Sequence, residues 1–424
     1  MAIVVGAGIA GLVAARKAAA RGEDVLILEK EDGVGGRIRT KDFNGFNVDI
    51  GTQCLFEGYE NTFGLIKAMG LEKEIKELKE PSTSVYRSGR FHTSNVKGLI
   101  SFGSIREKYY AIKLLKRIKA IDRETNLSFC KVDSMEKYDE LTLSDWVLEN
   151  FNEDFLEYLI QPLVSGLTLT APENISAAYG LPLLKHFMEK AFILEKGVGS
   201  LAEKIVENLP KNAQLKLNSE VEEISIEDNT VIGVSYKLNG EPISVNDKNV
   251  ICSLPIPLLL DSAKGLPTDV KKNLSTVKYA PCVHAIIELK KSLNKTWGSF
   301  FSRKDFEGFS VITETQKKGA QFTPKSKSML EVFLYGKVAE ACLNKTSDEI
   351  FDLVLSDLKV IYPKIEDQTG HYDAIKMRYA MPIPQPGFLK LRNYFNLPVE
   401  GLKLCGDYMY WPSVESAVYS GLTV

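Results

Sequence analysis

The N-terminal stretch changes its hydrophobic period twice. An unbroken apolar run, Ile3-Val4-Val5, leads into a glycine turn, apolar positions then recur at helical spacing from Leu12 to Ala20, and after Gly22 a second run extends from Asp24 to Leu28. Short continuous runs fit strands buried on both faces, and the periodic stretch between them fits a helix packed on those strands. The pattern predicts a β-α-β unit.

Later segments read differently. Residues of roughly 79 to 195 are mostly helical by pattern, and Thr142 with Asp145 forms a candidate capping box before a helix running to Glu149. Residues 259 to 392 mix strands, at Val283 to Leu289 and Ser328 to Leu334, with a helix from Asp348 to Ile361. Alternation on the first strand puts Cys282, His284, Ile286 and Glu288 on one face and Val283, Ala285 and Ile287 on the other. The segment 97–123 carries eight basic and two acidic residues, with Ile105, Tyr109, Ile112, Leu115 and Ile118 at helical spacing. Such a helix fits an anionic membrane surface or, equally, a solvated basic face over a core stripe.

Composition narrows the classes. With 424 residues and 44% hydrophobic content, two domains are expected. A net charge of -2 gives no basic field for nucleic acid, which is therefore not an expected partner. Cys54, Cys130, Cys252, Cys282, Cys342 and Cys405 are scattered, without metal-ligand spacing, and read as reduced thiols with no metal site. The chain starts directly on a strand, and no uncharged run approaches the ~18 residues of a spanning helix, so a cytoplasmic protein, with membrane association as an option, is expected.

Gly6-Ala7-Gly8-Ile9-Ala10-Gly11 matches GxGxxG at the strand-to-helix turn. The first glycine permits the tight turn, the second lets a pyrophosphate approach, and the third lets helix and strand pack closely. Glu29, followed by Lys30, ends the second strand at the distance where a carboxylate meets an adenosine ribose. A glycine-rich turn without a ligand is the alternative. In "EDGVGGRIRT", Gly35 and Gly36 permit another close backbone approach, and Arg37 offers a planar donor fork suited to a phosphate.

That block resembles the GG-R motif of the flavin-containing amine oxidoreductase superfamily, which includes monoamine oxidases, protoporphyrinogen oxidases and phytoene desaturase-like enzymes. Further blocks resemble the family in order and spacing. "FNVDIGTQCLF" is similar to the strand and loop whose residues, here Gly51, Thr52 and Gln53, line the flavin. "EKGVGSLAEKIVENL" resembles the turn and helix by which the chain re-enters its FAD domain. "SEVEEISIEDNTVIGV" resembles the next hairpin, where the main chain of Val221 would contact adenine, and "NVICSLPIPLLL" the strand that leaves the domain again. "LKLCGDYMYWPSVESAVYSGLTV" resembles the C-terminal flavin motif, in which Asp407, after Gly406, would bond the ribityl chain and the helix from about Val414 would aim its N-terminus at the flavin.

The resemblance implies an α/β protein with a discontinuous Rossmann-like FAD domain of the GR2 type, so called after the GG-R block (1–78, 196–258 and 393–424). It also implies a mixed α+β substrate domain with a helical insert (79–195 and 259–392). It implies non-covalent FAD, because no cysteine lies between Ile365 and Leu404, where monoamine oxidases attach their flavin. Alignment with the family's lysine that holds a water at flavin N5 falls on His284, a candidate to orient that water or act as a base. A half-buried strand histidine is the alternative, and a register slip would bring in Lys278 or Lys290.

Tyr408, Tyr410 and Trp411 are offset from the family's amine-framing aromatic, whose position reads Ser413. "GDYMYWPSVESAVYSG" is similar to desaturase endings, whereas "LIQPLVSGLTLTAPENISAAYGLPLL" and "RYAMPIPQPGF" resemble protoporphyrinogen oxidase. The expected activity is dehydrogenation of a hydrophobic substrate by hydride transfer to N5, of protoporphyrinogen-oxidase type. A carotenoid or squalene-type desaturase, an amine oxidase, and a non-catalytic FAD-binding membrane or assembly factor are the alternatives. Oxygen, a quinone or a carrier protein would reoxidise the flavin.

Overall fold

A computed structural model describes residues 1–79, 82–93 and 105–424. The N-terminal pattern folds as its periods dictate: strand Ala2–Val5, helix Ile9–Ala20 and strand Val25–Leu28, both strands buried along their length. Ala2–Val5 sits in the middle of a five-stranded parallel sheet. Val25–Leu28 and then Ala213–Lys216 lie on one side, and Val250–Cys252 and then Leu402–Leu404 on the other. Three widely separated stretches of chain thus complete one sheet around the first strand. In such sheets ligands bind beyond the carboxyl ends of the strands, where the order reverses. The C-terminal helix Val414–Thr423 packs against Ile9–Ala20, closely enough that a Cβ on Gly421 would come within 2.5 Å of the Ala10 carbonyl oxygen.

A seven-stranded, mostly antiparallel sheet forms the second layer system. Its order is Thr369–Pro382, Tyr279–Leu289, Ser328–Tyr335, Phe309–Glu314, Gly298–Phe301, Thr83–Arg87 and Arg90–Thr93. Val283, Ala285 and Ile287 pack into a core shared with the helix Ser347–Ile361, while Cys282 faces the opposite side and joins the main core. That helix begins with a full capping box from Thr346 and Glu349, which the sequence pattern did not single out.

Within 79–195 the helices include Ile105–Thr125, Leu143–Asn150, Gln161–Thr168 and Ala177–His186. Thr142 caps the second of these by accepting from the Asp145 N–H. Residues 83–93, expected among helices, instead form an edge hairpin of the large sheet. Residues 97–104 of the basic segment lie outside the described residues. Its described part, Ile105–Thr125, buries Ala111, Leu114, Ile118 and Ile121 and leaves Ile105, Tyr109 and Ile112 exposed. Among the described residues no helix is long and apolar enough to cross a membrane.

Candidate active site

A cavity of about 1560 Å³ runs from the carboxyl edge of the parallel sheet to the underside of the large sheet. Pockets for one drug-sized ligand span roughly 300–1,000 Å³. This one has room for a dinucleotide and a second molecule. Gly6, Gly8, Ile9, Ala10, Glu29, Lys30, Gly36, Arg37, Gly51, Thr52, Gln53, Val221, Gly406, Asp407 and Val414 all line it. Gly11 does not, and a Cβ there would stand 2.1 Å from the Gly6 carbonyl oxygen. It is glycine because strand and helix meet there.

Each end is built by local chemistry. Gly6 takes φ +93, which favours glycine. Gly8, by contrast, has an ordinary extended conformation (φ -65, ψ 168), and a Cβ on it would meet nothing within 4 Å. Neither backbone nor packing requires glycine at that position, so the space it leaves above the helix terminus fits a phosphate-bearing group. No side chain caps that terminus. The GG-R loop closes over it, with the Gly35 N–H donating to the Ala7 carbonyl at 2.9 Å. Glu29 is oriented by the N–H groups of Ala7 (2.7 Å) and Glu31 (3.0 Å). Val221 sits at a β-bulge that turns its backbone out of the regular ladder.

Arg37 and Asp407 stand on the same wall as a bidentate pair, at 2.7 and 2.8 Å, and Arg37 also donates to the Ala380 carbonyl at 3.2 Å. Sequence reading assigned them to phosphate and ribityl groups separately. Their coupling across 370 residues carries no local sequence signal. Ser413 caps the C-terminal helix by accepting from the Ser416 N–H, leaving Val414 and Ala417 on the cavity.

Beyond these residues the cavity becomes an apolar chamber. Leu114, Leu163, Leu183, Phe187, Phe300 and Phe333 are representative of its wall. Tyr408, Tyr410 and Trp411 are not on it. Tyr408 and Trp411 are buried against Phe395 and Phe388. All six cysteines are unbridged, and burial pushes the thiols of cavity-lining Cys54 and Cys282 up to about 12, which keeps them protonated and unreactive.

His284 departs from expectation. Its face of the strand does point toward the cavity side, since Cys282 reaches the wall, but His284 is fully buried behind it. Nδ1 lies 3.3 Å from the Ile50 carbonyl, and the ring stacks on Phe333 at 4.2 Å. Nε2 lies 3.1 Å from Glu331 Oε2, close enough to pair electrostatically though off the hydrogen-bonding direction. Strand alternation gives the face and not the depth, and the loop at Ile50 covers this position. Lys278 and Lys290 are exposed and also absent from the wall. Behind the same loop lies a residue that the sequence pattern did not mark: Lys318, fully buried, with Nζ 2.8 Å from Asp49 and 2.9 Å from Gln53 Oε1.

Comparison with known proteins agrees with this geometry. The model of the family described as flavin containing amine oxidoreductase matches residues 9–424. The chain is 23% identical to 15-cis-phytoene desaturase of Arabidopsis thaliana, over 99% of this chain and 78% of that protein. It is 26% identical to protoporphyrinogen oxidase 2 of the same plant, over 47% of this chain and 37% of that one. The solved cyclohexylamine oxidase of Brevibacterium oxydans IH-35A superposes with a TM-score of 0.75 at 16% identity, covering 100% of this chain and 97% of that one.

Proposed function

The chain belongs to the flavin containing amine oxidoreductase family, and we propose that this FAD-dependent oxidoreductase dehydrogenates a large, hydrophobic substrate. The observation that carries the reading is the apolar chamber continuous with the dinucleotide cleft. FAD bound non-covalently in that cleft supplies a hydride acceptor at N5. The residues fitted to hold it are the Gly6–Gly11 turn, Glu29, the GG-R loop, Gly51 to Gln53, Val221 and the Gly406–Val414 segment. The chain's own contribution on the substrate side is exclusion of water and orientation by shape.

The segment that resembles protoporphyrinogen oxidase supplies Leu159, Ile160, Leu163, Leu167, Leu169, Tyr179, Leu183 and Leu184 to this wall, which supports a tetrapyrrole-type substrate. The full-length likeness to a phytoene desaturase supports a polyene as the second reading. Exposed Ile105, Tyr109 and Ile112, on the helix that also lends Ala111, Leu114 and Leu115 to the chamber, support delivery of such a substrate from a membrane surface. The electron acceptor is oxygen, a quinone or a carrier protein.

Anaerobic mixing of the FAD-loaded protein with protoporphyrinogen, 15-cis-phytoene and a panel of primary amines tests the reading. Bleaching of the flavin by a hydrophobic substrate is expected. Bleaching by amines alone would overturn it, and no bleaching by any oxidisable compound would favour a non-catalytic FAD-binding factor.

A further inference from the structure

Behind the Gly51–Gln53 loop, the protein buries a cluster of charge that the reaction as read above does not use. The Lys318 side chain is 0% exposed and that of Asp49 1%. Asp49 uses one oxygen for Lys318 and the other for the Thr40 hydroxyl (2.6 Å) and the Val198 N–H (2.9 Å). The Thr40 hydroxyl in turn accepts from the Gly199 N–H at 2.9 Å. Gln53 donates to the Asp49 carbonyl and accepts from Lys318. On the sheet side, Glu331 accepts from Thr315 and faces His284, whose ring reaches the Ile50 carbonyl. The chain from Asp49 to Gln53 is therefore gripped at three points from behind, while Gly51, Thr52 and Gln53 present their front to the cavity.

Burying a lysine and an aspartate is an expensive way to gain stability, since well-packed apolar residues often serve as well. What the pair adds is direction. Lys318 fixes which way the Gln53 amide points, because an ammonium only donates and so holds the carbonyl oxygen of the amide, leaving its NH2 for the Asp49 carbonyl.

We propose that Lys318 is a positioning residue for the cofactor: acting through Gln53 and Asp49, it sets the Gly51–Gln53 loop on which FAD rests. This rests on the FAD reading of the cavity. His284 and Glu331 complete the same buttress.

The test separates positioning from mere stability. Lys318→Met alone leaves Asp49 unpaired and should lower the melting temperature. The double variant Lys318→Met/Asp49→Asn removes both charges, keeps an acceptor for Thr40 and Val198, and should recover most of the loss. If Lys318 positions the loop, the double variant should still bind FAD about 10-fold more weakly and with shifted visible flavin bands. Wild-type affinity and bands in the double variant would overturn the proposal. Should that variant not fold, Gln53→Leu leaves the Lys318–Asp49 pair intact. Faster amide exchange at residues 50–53 in its FAD-free form supports the tie, and unchanged exchange overturns it. A wild-type protein that bound no FAD would be a separate failure, of the reading on which the proposal rests.

Discussion

Gly8 is glycine at a position where the chain's own fold asks for none. Its dihedrals suit any residue, and its missing side chain borders open space. Gly8→Ala should therefore fold with wild-type stability yet bind FAD about 10- to 100-fold more weakly, the scale of one methyl forced into a close contact. Fluorescence titration with FAD, beside a thermal melt of the apoprotein, checks both halves. Gly11→Ala is the contrasting case: its Cβ would collide with the Gly6 carbonyl, so the apoprotein itself should lose stability. The two glycines stand three residues apart in one motif, and the sequence assigned both to the motif's geometry. His284 was less legible for a physical reason. Period-two alternation names the face of a strand, but what covers that face is decided by a loop more than 200 residues away, at Ile50. Lys318, in the polar stretch "TETQKKGAQF", had no pattern to betray its burial.

Elements with a clear local pattern could be read from it alone, as the apolar run Ile9–Ala20 behind its glycine turn and the amphipathic Ser347–Ile361 illustrate. The hairpin 83–93 could not, because its strands are short and gain their partners from residues 298–301. Glu415 shows an element held by a distant one. From the first turn of the C-terminal helix its carboxylate accepts from the N–H groups and side chains of Asn61 and Thr62, capping the helix Glu60–Ala68. Hydrogen bonds to a charged group contribute roughly 1.5–3 kcal/mol, so Glu415→Ala should cost at least about 2 kcal/mol, read as a lowered urea midpoint. The helix Ile105–Thr125 invites a different test. Lys113 is occupied by the Asn150 carbonyl, whereas Lys116, Arg117 and Lys119 are exposed. If this helix meets anionic lipid, changing those three to glutamine should cut vesicle binding by about 10²-fold, at roughly 1 kcal/mol per charge. Raising salt should weaken the wild type likewise, and salt-insensitive, unchanged sedimentation would leave an ordinary solvated face.

On the scale of the whole molecule, the buried cluster joins the parallel-sheet half, through Asp49, Gln53 and Val198, to the large sheet, through Glu331 and His284 on its strands and Lys318 on the turn that follows Phe309–Glu314. Its charges make the union pH-dependent in opposite directions. Burial works against the Lys318 ammonium, but Asp49 and Glu331 outweigh it and hold its pKa above the ordinary 10.5. A group raised on folding lends stability that is whole below its unfolded pKa and is lost as pH climbs through the folded one. For Glu331, burial favours the protonated form, but His284 and Lys318 outweigh it and hold the pKa below the ordinary 4.5. That contribution is whole above 4.5 and is lost as pH falls through the depressed value. Between these limits both contributions are flat. The gap in melting temperature between the wild type and Lys318→Met should accordingly stay constant across neutral pH and narrow above 10.5, as the wild type loses what the variant never had. A gap that stayed constant into strong alkali would mean that the gap does not come from the Lys318 ammonium, because a methionine of similar volume keeps the packing and lacks the charge with its two hydrogen bonds.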